Sequence, residues 1–581
     1  MTNFRFFLAA SAASLAFACA AVSPVHAQET TSSINGTVTG NGAPLAGASV
    51  QITHVPSGTT SNATSNANGV FSASGLRVGG PYTVRVTAEG FGDFEATDVY
   101  TVVGQSFALP VDMQSAGDTI IVTASKIRGA GNVSQGPAMV MTAEQIGKIA
   151  SVNRDIRDIA ARDPFATLDT SQTTGRQVSF AGQNPRFNRF TVDGVPVTDS
   201  FGLNPDALPS RRGPVPLDSI AQFETKVAPY DIREGFFQGG VSNAILKSGT
   251  NEFHGTAFFT YSSDELTGKR TKPYILNTTG RIVQPNFTSK DFGAEISGPI
   301  IKDKLFFMIA AERVRAARPV AFGTQEDNAG TPVIGATNAA LQQIVGIAKT
   351  RYNYDAGGIL RSDGDKDDRI VGKLDANLSE TQRVSLTGLY TKDELNVSTT
   401  TGTRDLGLES NAYRKPNELK AGILAWNADW SEKFSTETRA LYKTYDSGQF
   451  PLMGRSAQMS ICAAPTSDRT TNGATTTAAS IVCPTGTPQF VLGAGGPSQS
   501  NVLKIKSWGG SVSAKLKAGD HNFRALAEWN HTKSFNMFVN PSAGTYYFDS
   551  IADFQAGTAQ SFSYNNAASL KPEDAAASFS Y

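Results

Sequence analysis

The chain has 581 residues, with 51 basic and 51 acidic side chains and a formal net charge of zero. This balance gives no global electrostatic case for nucleic-acid binding, and three cysteines are too few for a disulfide-framework fold. The length exceeds one ordinary core, so several domains are expected; charged residues make up only 18%, below the roughly 25% of soluble domains.

Residues 1–27 read as an export signal. Arg5 supplies the positive start, Phe6 to Val22 an apolar stretch, and Val25-His26-Ala27 a small-residue cleavage site. Cys19 is part of that signal, since the bulky Phe17 two residues earlier does not fit a lipoprotein site. After residue 27 no run of about 18 apolar residues follows, so no helix is predicted to cross a membrane. A closed β-barrel remains open to such a chain.

Residues 31–115 alternate short β-prone runs with turns at about ten-residue spacing, the pattern of a small β-sandwich. The segments GTVTGNGAPLAGASVQI and GVFSASGLRVGGPYTVRVTAEGF resemble the carboxypeptidase regulatory-like domain. That resemblance implies a structural or docking module rather than a peptidase. The five histidines, at 26, 54, 254, 521 and 531, lack H-E-x-x-H spacing.

After the polar joint 114–117 comes a second β-prone run: Asp118, Thr119, Ile120, Ile121, Val122, Thr123 and Ala124. From the residues alone it is either a last sandwich strand, a linker, or an extended segment that adds to a partner's sheet edge. Residues 125–250 follow as an α+β unit. Thr142-Ala143-Glu144-Gln145 is a capping-box pattern, and Asn153 is placed to cap a second helix through Ala161, with Pro164 beyond. RQVSFAG at 176–182 reads as a strand. Arg189–Val192 and Val195–Val197 flank Asp193-Gly194, a hairpin signal. Glycines 235, 239, 240 and 249 mark close backbone approaches.

Taken in order, FTVDGVPVTD, SIAQFETKVAPYD and GFFQGGVSNAILKSGTNEFHG resemble the plug domain of TonB-dependent outer-membrane receptors, in particular the Oar-like branch. The resemblance implies that 118–124 is the TonB box and that 125–250 is the plug. It also implies that 252–581 begins the transmembrane barrel, in the outer membrane of a Gram-negative cell. Arg211 and Arg212, in the loop 198–214, either face a ligand at the plug apex or pair with wall carboxylates.

From Phe253 the pattern is paired alternating strands. Leu386 and Trp529 fall on apolar faces, Thr387 and Asn530 on polar ones. Short turns near 301–304, 379–382, 431–435 and 518–520 alternate strictly with long loops, the asymmetry of outer-membrane barrels. About eleven strands are counted, against the roughly 22 of plugged transporters. An odd count would leave the last strand running outward, so the chain reads as a fragment carrying the first half of a barrel. Asp363, Asp365 and Asp367 have the alternation of a calcium loop, but Asp368 and Leu374 break an EF-hand, leaving a solvated acidic loop. Cys462 and Cys483 share one long loop, and a bridge there would be worth roughly 3 kcal/mol in the chain-entropy picture.

The expected fold is therefore mostly β: sandwich, plug and half a transmembrane barrel. The expected function is TonB-dependent import of an extracellular substrate, with TonB, its inner-membrane motor complex and membrane lipid as partners, no nucleic acid, no cofactor and no metal. There is no Walker loop, G-x-S-x-G elbow or metal-protease motif, which disfavours a hydrolase. The alternative is an adhesive or structural surface protein that uses the barrel as an anchor.

Overall fold

The computed structural model describes residues 30–581 except 116–119, 128, 134–137, 152, 171–175, 200, 202–203, 205, 228–238, 269–286, 321, 328–330, 400–403, 432, 468–482, 485, 519–520, 566–576 and 581. The signal, Asp118, Thr119 and Gly235 thus lie outside the described residues.

Alternating apolar residues and glycine-marked turns build the first unit from nine strands and a two-residue strand, Ala43–Pro44, that pairs with the first. The nine are β1 (Ser32–Gly40), β2 (Ser49–His54), β3 (Thr59–Thr64), β4 (Val70–Leu76), β5 (Gly79–Thr87), β6 (Phe94–Thr101), β7 (Ser106–Met113), β8 (Ile120–Thr123) and β9 (Gly131–Val133). One sheet runs β9–β7–β1–β4, the other β3–β2–β5–β6–β8. Ile34, Ile52, Phe71, Val84 and Leu109 fill the space between them. Pairing with the sandwich continues beyond residue 115, where its boundary is expected. Strand β8 pairs in parallel with β6, from Phe94↔Ile120 to Thr97↔Thr123, and β9 pairs with β7 in the other sheet. Segment 120–133 is part of the sandwich because Ile120, Val122, Ala124, Ile127 and Ala130 all pack on its core.

The plug follows: β10 (Ala138–Thr142), α1 (Ala143–Gly147), α2 (Ile156–Ala160), β11 (Ala166–Asp169), β12 (Gln177–Phe180), β13 (Arg189–Val192), β14 (Val195–Pro196), β15 (Ile220–Lys226) and β16 (Val241–Leu246). Its sheet is ordered β10–β15–β16–β13–β14. Thr142 and Gln145 close the expected capping box. The second helix is capped by Asp155, whose carboxylate accepts from Arg157 N at 2.9 Å, and not by Asn153. Asp193 and Gly194 both have positive φ, 45° and 73°, which lets β13 and β14 close in a two-residue turn. A Cβ on Gly240 would sit 2.3 Å from the Phe180 ring, so only glycine fits there.

Ten antiparallel wall strands surround the plug: β17 (His254–Ser263), β18 (Thr288–Ile301), β19 (Leu305–Pro319), β20 (Ser362–Ser379), β21 (Gln382–Val397), β22 (Tyr413–Ser431), β23 (Phe434–Gly448), β24 (Asn501–Ala518), β25 (His521–Phe538) and β26 (Ala577–Ser580). With the two-residue strand Phe450–Pro451, which pairs with β22, the sheet has eleven strands among the described residues. The pairing Asn536↔Ala577 and Lys533↔Ser580 makes β26 run back from the long-loop end, not outward. Apolar side chains such as Phe292, Ile296, Leu386 and Trp529 are exposed on the outer face, the pattern of a lipid-facing wall. Asp291, Glu295 and Thr387 on the other face are buried. Thr387 is therefore not in an open lumen: it is pressed against the plug at Asp193. The Asp363–Asp367 series is neither a calcium loop nor a solvated loop. It lies on the inward face of β20, with Asp367 fully buried.

The long loops are more ordered than their composition predicts. Strands Asp405–Gly407, Gln489–Leu492, Gln458–Cys462, Thr545–Phe548 and Ser561–Ser563, from separate loops, form one five-stranded sheet. Helices α3 (Asn338–Tyr352) and α4 (Ile551–Ala556) pack on it through Ile344, Phe490, Phe548 and Phe554. Cys462 and Cys483 are disulfide-bonded within this cap.

Candidate coupling segment and plug seam

Two regions carry functional potential: the seam holding the plug inside the wall, and the segment reaching the plug from the short-turn end.

At the seam charged pairs lie beside an apolar cluster that spans plug and wall, with Val192 and Leu217 on one side and Met308 and Val371 on the other. Arg212 donates to Asp365 at 2.8 and 3.0 Å, with Asp367 at 3.5 Å. Burial disfavours the Arg212 charge, but Asp365 and Asp367 outweigh it, so its pKa stands above the ordinary arginine value. Arg211 lies 3.5 Å from Asp365, and its backbone N–H donates to Asp393 at 3.2 Å. Both arginines thus meet wall carboxylates. Lower in the seam, Lys373 of the wall meets Asp193 of the hairpin at 3.0 Å. Glu312 of the wall binds both Arg369, at 2.5 Å, and the plug's Arg154, at 3.2 Å.

The apex loop 198–214 is held on both sides. Arg157 of α2 donates to Asp206 at 2.5 and 2.8 Å and to the Arg211 carbonyl. From the wall, Tyr445 accepts from Asn204 at 2.9 Å and Lys443 donates to the Thr198 carbonyl at 2.9 Å. The sequence offered no sign of Asn204, Tyr445 or Lys443, because a single polar residue on a strand's inner face looks like any other.

The sandwich sits across the short-turn mouth. Arg77 donates to Asn377 at 3.1 Å, Lys517 to the Ser72 carbonyl at 2.9 Å, and Asn251 N to the Pro56 carbonyl at 2.8 Å. Arg383 donates to the Gly75 carbonyl. Gln222 of the plug strand β15 bonds Thr101 O and Val103 N, each at 3.0 Å. A cavity of about 550 Å³ lies between the three units, lined in part by His54, Arg77, Lys247, Lys373 and Arg383. His54 is neutral there: burial, then Arg77 and Arg383, push its pKa down to about 3. Its Nδ1 is 2.7 Å from Ser57 Oγ.

Strand β8 is the outermost strand of its sheet. Ile120 N donates inward to Asp93 O at 2.8 Å. In a parallel ladder the donors alternate sides, so Val122 also faces β6, while Ile121 and Thr123 direct their backbone groups away from the sandwich. The Ile121 side chain is 65% exposed.

Comparison with known proteins follows the same division. Residues 33–114 match the carboxypeptidase regulatory-like domain. Residues 245–328 and 331–577, more than half of the chain, match the outer membrane beta barrel domain. Over 242 residues the chain is 28% identical to the TonB-dependent transporter Oar of Myxococcus xanthus, covering 39% of this chain and 21% of that protein. Over 351 residues it is 26% identical to the ferrienterobactin receptor of Escherichia coli, covering 58% and 42%. The chain thus spans less than half the length of these curated relatives. Among solved structures, the outer membrane transporter YddB from Escherichia coli aligns with a TM-score of 0.49 and 11% identity, over 71% of this chain and 50% of that one.

Proposed function

Because the chain belongs to the outer membrane beta barrel domain family, in its TonB-dependent receptor branch, we propose that it binds an extracellular substrate and imports it with energy delivered through TonB. The observation that carries this reading is the path from mouth to plug. An extended segment with outward backbone donors, Ile120–Thr123, precedes a plug that is held in the wall by separable ion pairs. These ion pairs lie beside an apolar contact that joins plug residues such as Val192 and Leu217 to wall residues such as Met308 and Val371, and polar pairs that break and re-form suit a plug that must shift and return. The work is binding and displacement, with no bond made or broken.

The test is growth of a deletion strain on single nutrient sources. Complementation with the full-length receptor restores growth on at least one scarce source, and a receptor lacking Ile120–Ala124 does not. Equal complementation by both would overturn the coupled reading. The folded cap favours a second reading, adhesion, because four loops converge in one disulfide-bonded unit. That reading predicts surface attachment that is indifferent to the proton gradient.

A further inference from the structure

The coupling segment is a strand of the sandwich, not a free tail ahead of the plug. Its inward side chains, Ile120 and Val122, pack on the sandwich core, and Ala124 is 4% exposed. The chain then crosses to the other sheet and pairs again, as β9 on β7. The segment is thus bracketed by sandwich strands on both sides, and releasing it would expose apolar side chains at each step. Its outer edge is different. No further strand among the described residues pairs there, and the Ile121 and Thr123 backbone groups face outward.

We propose that TonB adds its strand to the outer edge of β8 while β8 stays paired with β6, so that the sandwich itself is the body TonB pulls. This rests on the TonB-coupled reading above. The occupant is an extended peptide strand: the outer edge offers backbone donors and acceptors and only one exposed apolar side chain, so it recognises main chain. The geometry then sets the order of events. The sandwich is seated by polar contacts: Arg77–Asn377, Lys517–Ser72, Asn251–Pro56, and Gln222 with Thr101 and Val103. Lifting it breaks those first. Only residues 134–137 separate β9 from β10, and β10 is an edge strand of the plug sheet, paired among the described residues with β15 alone. The pull therefore reaches the plug at an edge strand, which has a neighbour on one side only.

The test staples β8 in place. Glu95 and Ile121 are register partners, so Glu95→Cys with Ile121→Cys joins β6 to β8. Binding of the purified periplasmic domain of TonB to the full-length receptor is measured with the staple oxidised and reduced. The expected result is affinity within about twofold in both states. Binding lost on oxidation and regained on reduction would show that β8 must leave the sandwich, and would overturn the proposal. No binding by the unstapled parent would overturn the coupled reading itself, and this inference with it. A cysteine-free variant serves if the staple disturbs folding. Val122→Pro deletes the donor facing β6 and weakens TonB binding if β8 acts in place; tighter binding overturns the proposal.

Discussion

Arg212 of the plug apex and Asp365 of wall strand β20 form a two-pronged ion pair, 2.8 and 3.0 Å, with both side chains largely buried. The pair joins residues 153 positions apart and fixes the apex loop against the wall. Removing one partner strands the other charge, at a cost of roughly 3–5 kcal/mol. Asp365→Asn is therefore expected to loosen the plug, seen as faster protease cleavage in loop 198–214 of detergent-purified receptor. Arg212→Met combined with Asp365→Leu restores part of the protection, because neither member of the buried pair is left without the other.

The outer and inner faces of the wall make a second expectation. Leu386 and Trp529 are about half exposed on the outer face, which a transmembrane wall would turn to lipid. Lysine at either site costs roughly 2–4 kcal/mol at the bilayer midplane and lowers the yield of assembled protein in outer membranes. Asn530→Lys, on the inner face and half-buried, assembles normally. Thr387→Lys does not, since Thr387 is 1% exposed and sits against the plug beside Lys373 and Asp193.

These cases show where sequence reasoning succeeds and where it stops. The Asp193-Gly194 turn was readable because a positive φ at both positions demands such residues. The wall was readable because one face of each strand is buried and the other exposed, a strict two-residue alternation. The same alternation misled at Asp363, Asp365 and Asp367: the period belonged to a strand, but the charge suggested a loop. Their partner Arg212 lies too far along the chain for any local pattern to reveal. The cap was invisible for a related reason, since strands as short as Asp405–Gly407 acquire a hydrophobic core only when separate loops meet. Strand β8 could be read as coupling segment, linker or sandwich strand, and only its pairing with β6 places it in the sandwich.

The cap is expected to unfold independently of the wall. Phe490 is fully buried at its centre, and Phe490→Ala costs about 3–5 kcal/mol. Limited proteolysis of the variant should cut within 489–492 and 545–548 while the wall remains protected. Cys462→Ser with Cys483→Ser should produce a milder form of the same change, worth roughly 3 kcal/mol in the chain-entropy picture.

His54 gives the sandwich a pH dependence. Its pKa is about 3 when folded against an ordinary 6.5, so the unfolded state binds more protons between those values. The stability contributed by neutral His54 is complete above pH 6.5 and falls as the pH drops toward 3, by at most about 1.4 kcal/mol per pH unit. The thermal midpoint of the sandwich should therefore fall between pH 7 and pH 5, and His54→Asn should flatten that slope.

The central claim is that a proton gradient is spent through the outer edge of β8. The most direct measurement is accumulation of a labelled nutrient, chosen as one on which the deletion strain fails to grow, with and without an uncoupler. Surface levels of each variant are quantified alongside. The account predicts uptake that stops with the uncoupler in the parent and in Ile121→Ala, and that is absent in Ile121→Pro although surface level and nutrient binding are retained. Uptake by Ile121→Pro equal to the parent, or uptake in the parent that ignores the uncoupler, would contradict it.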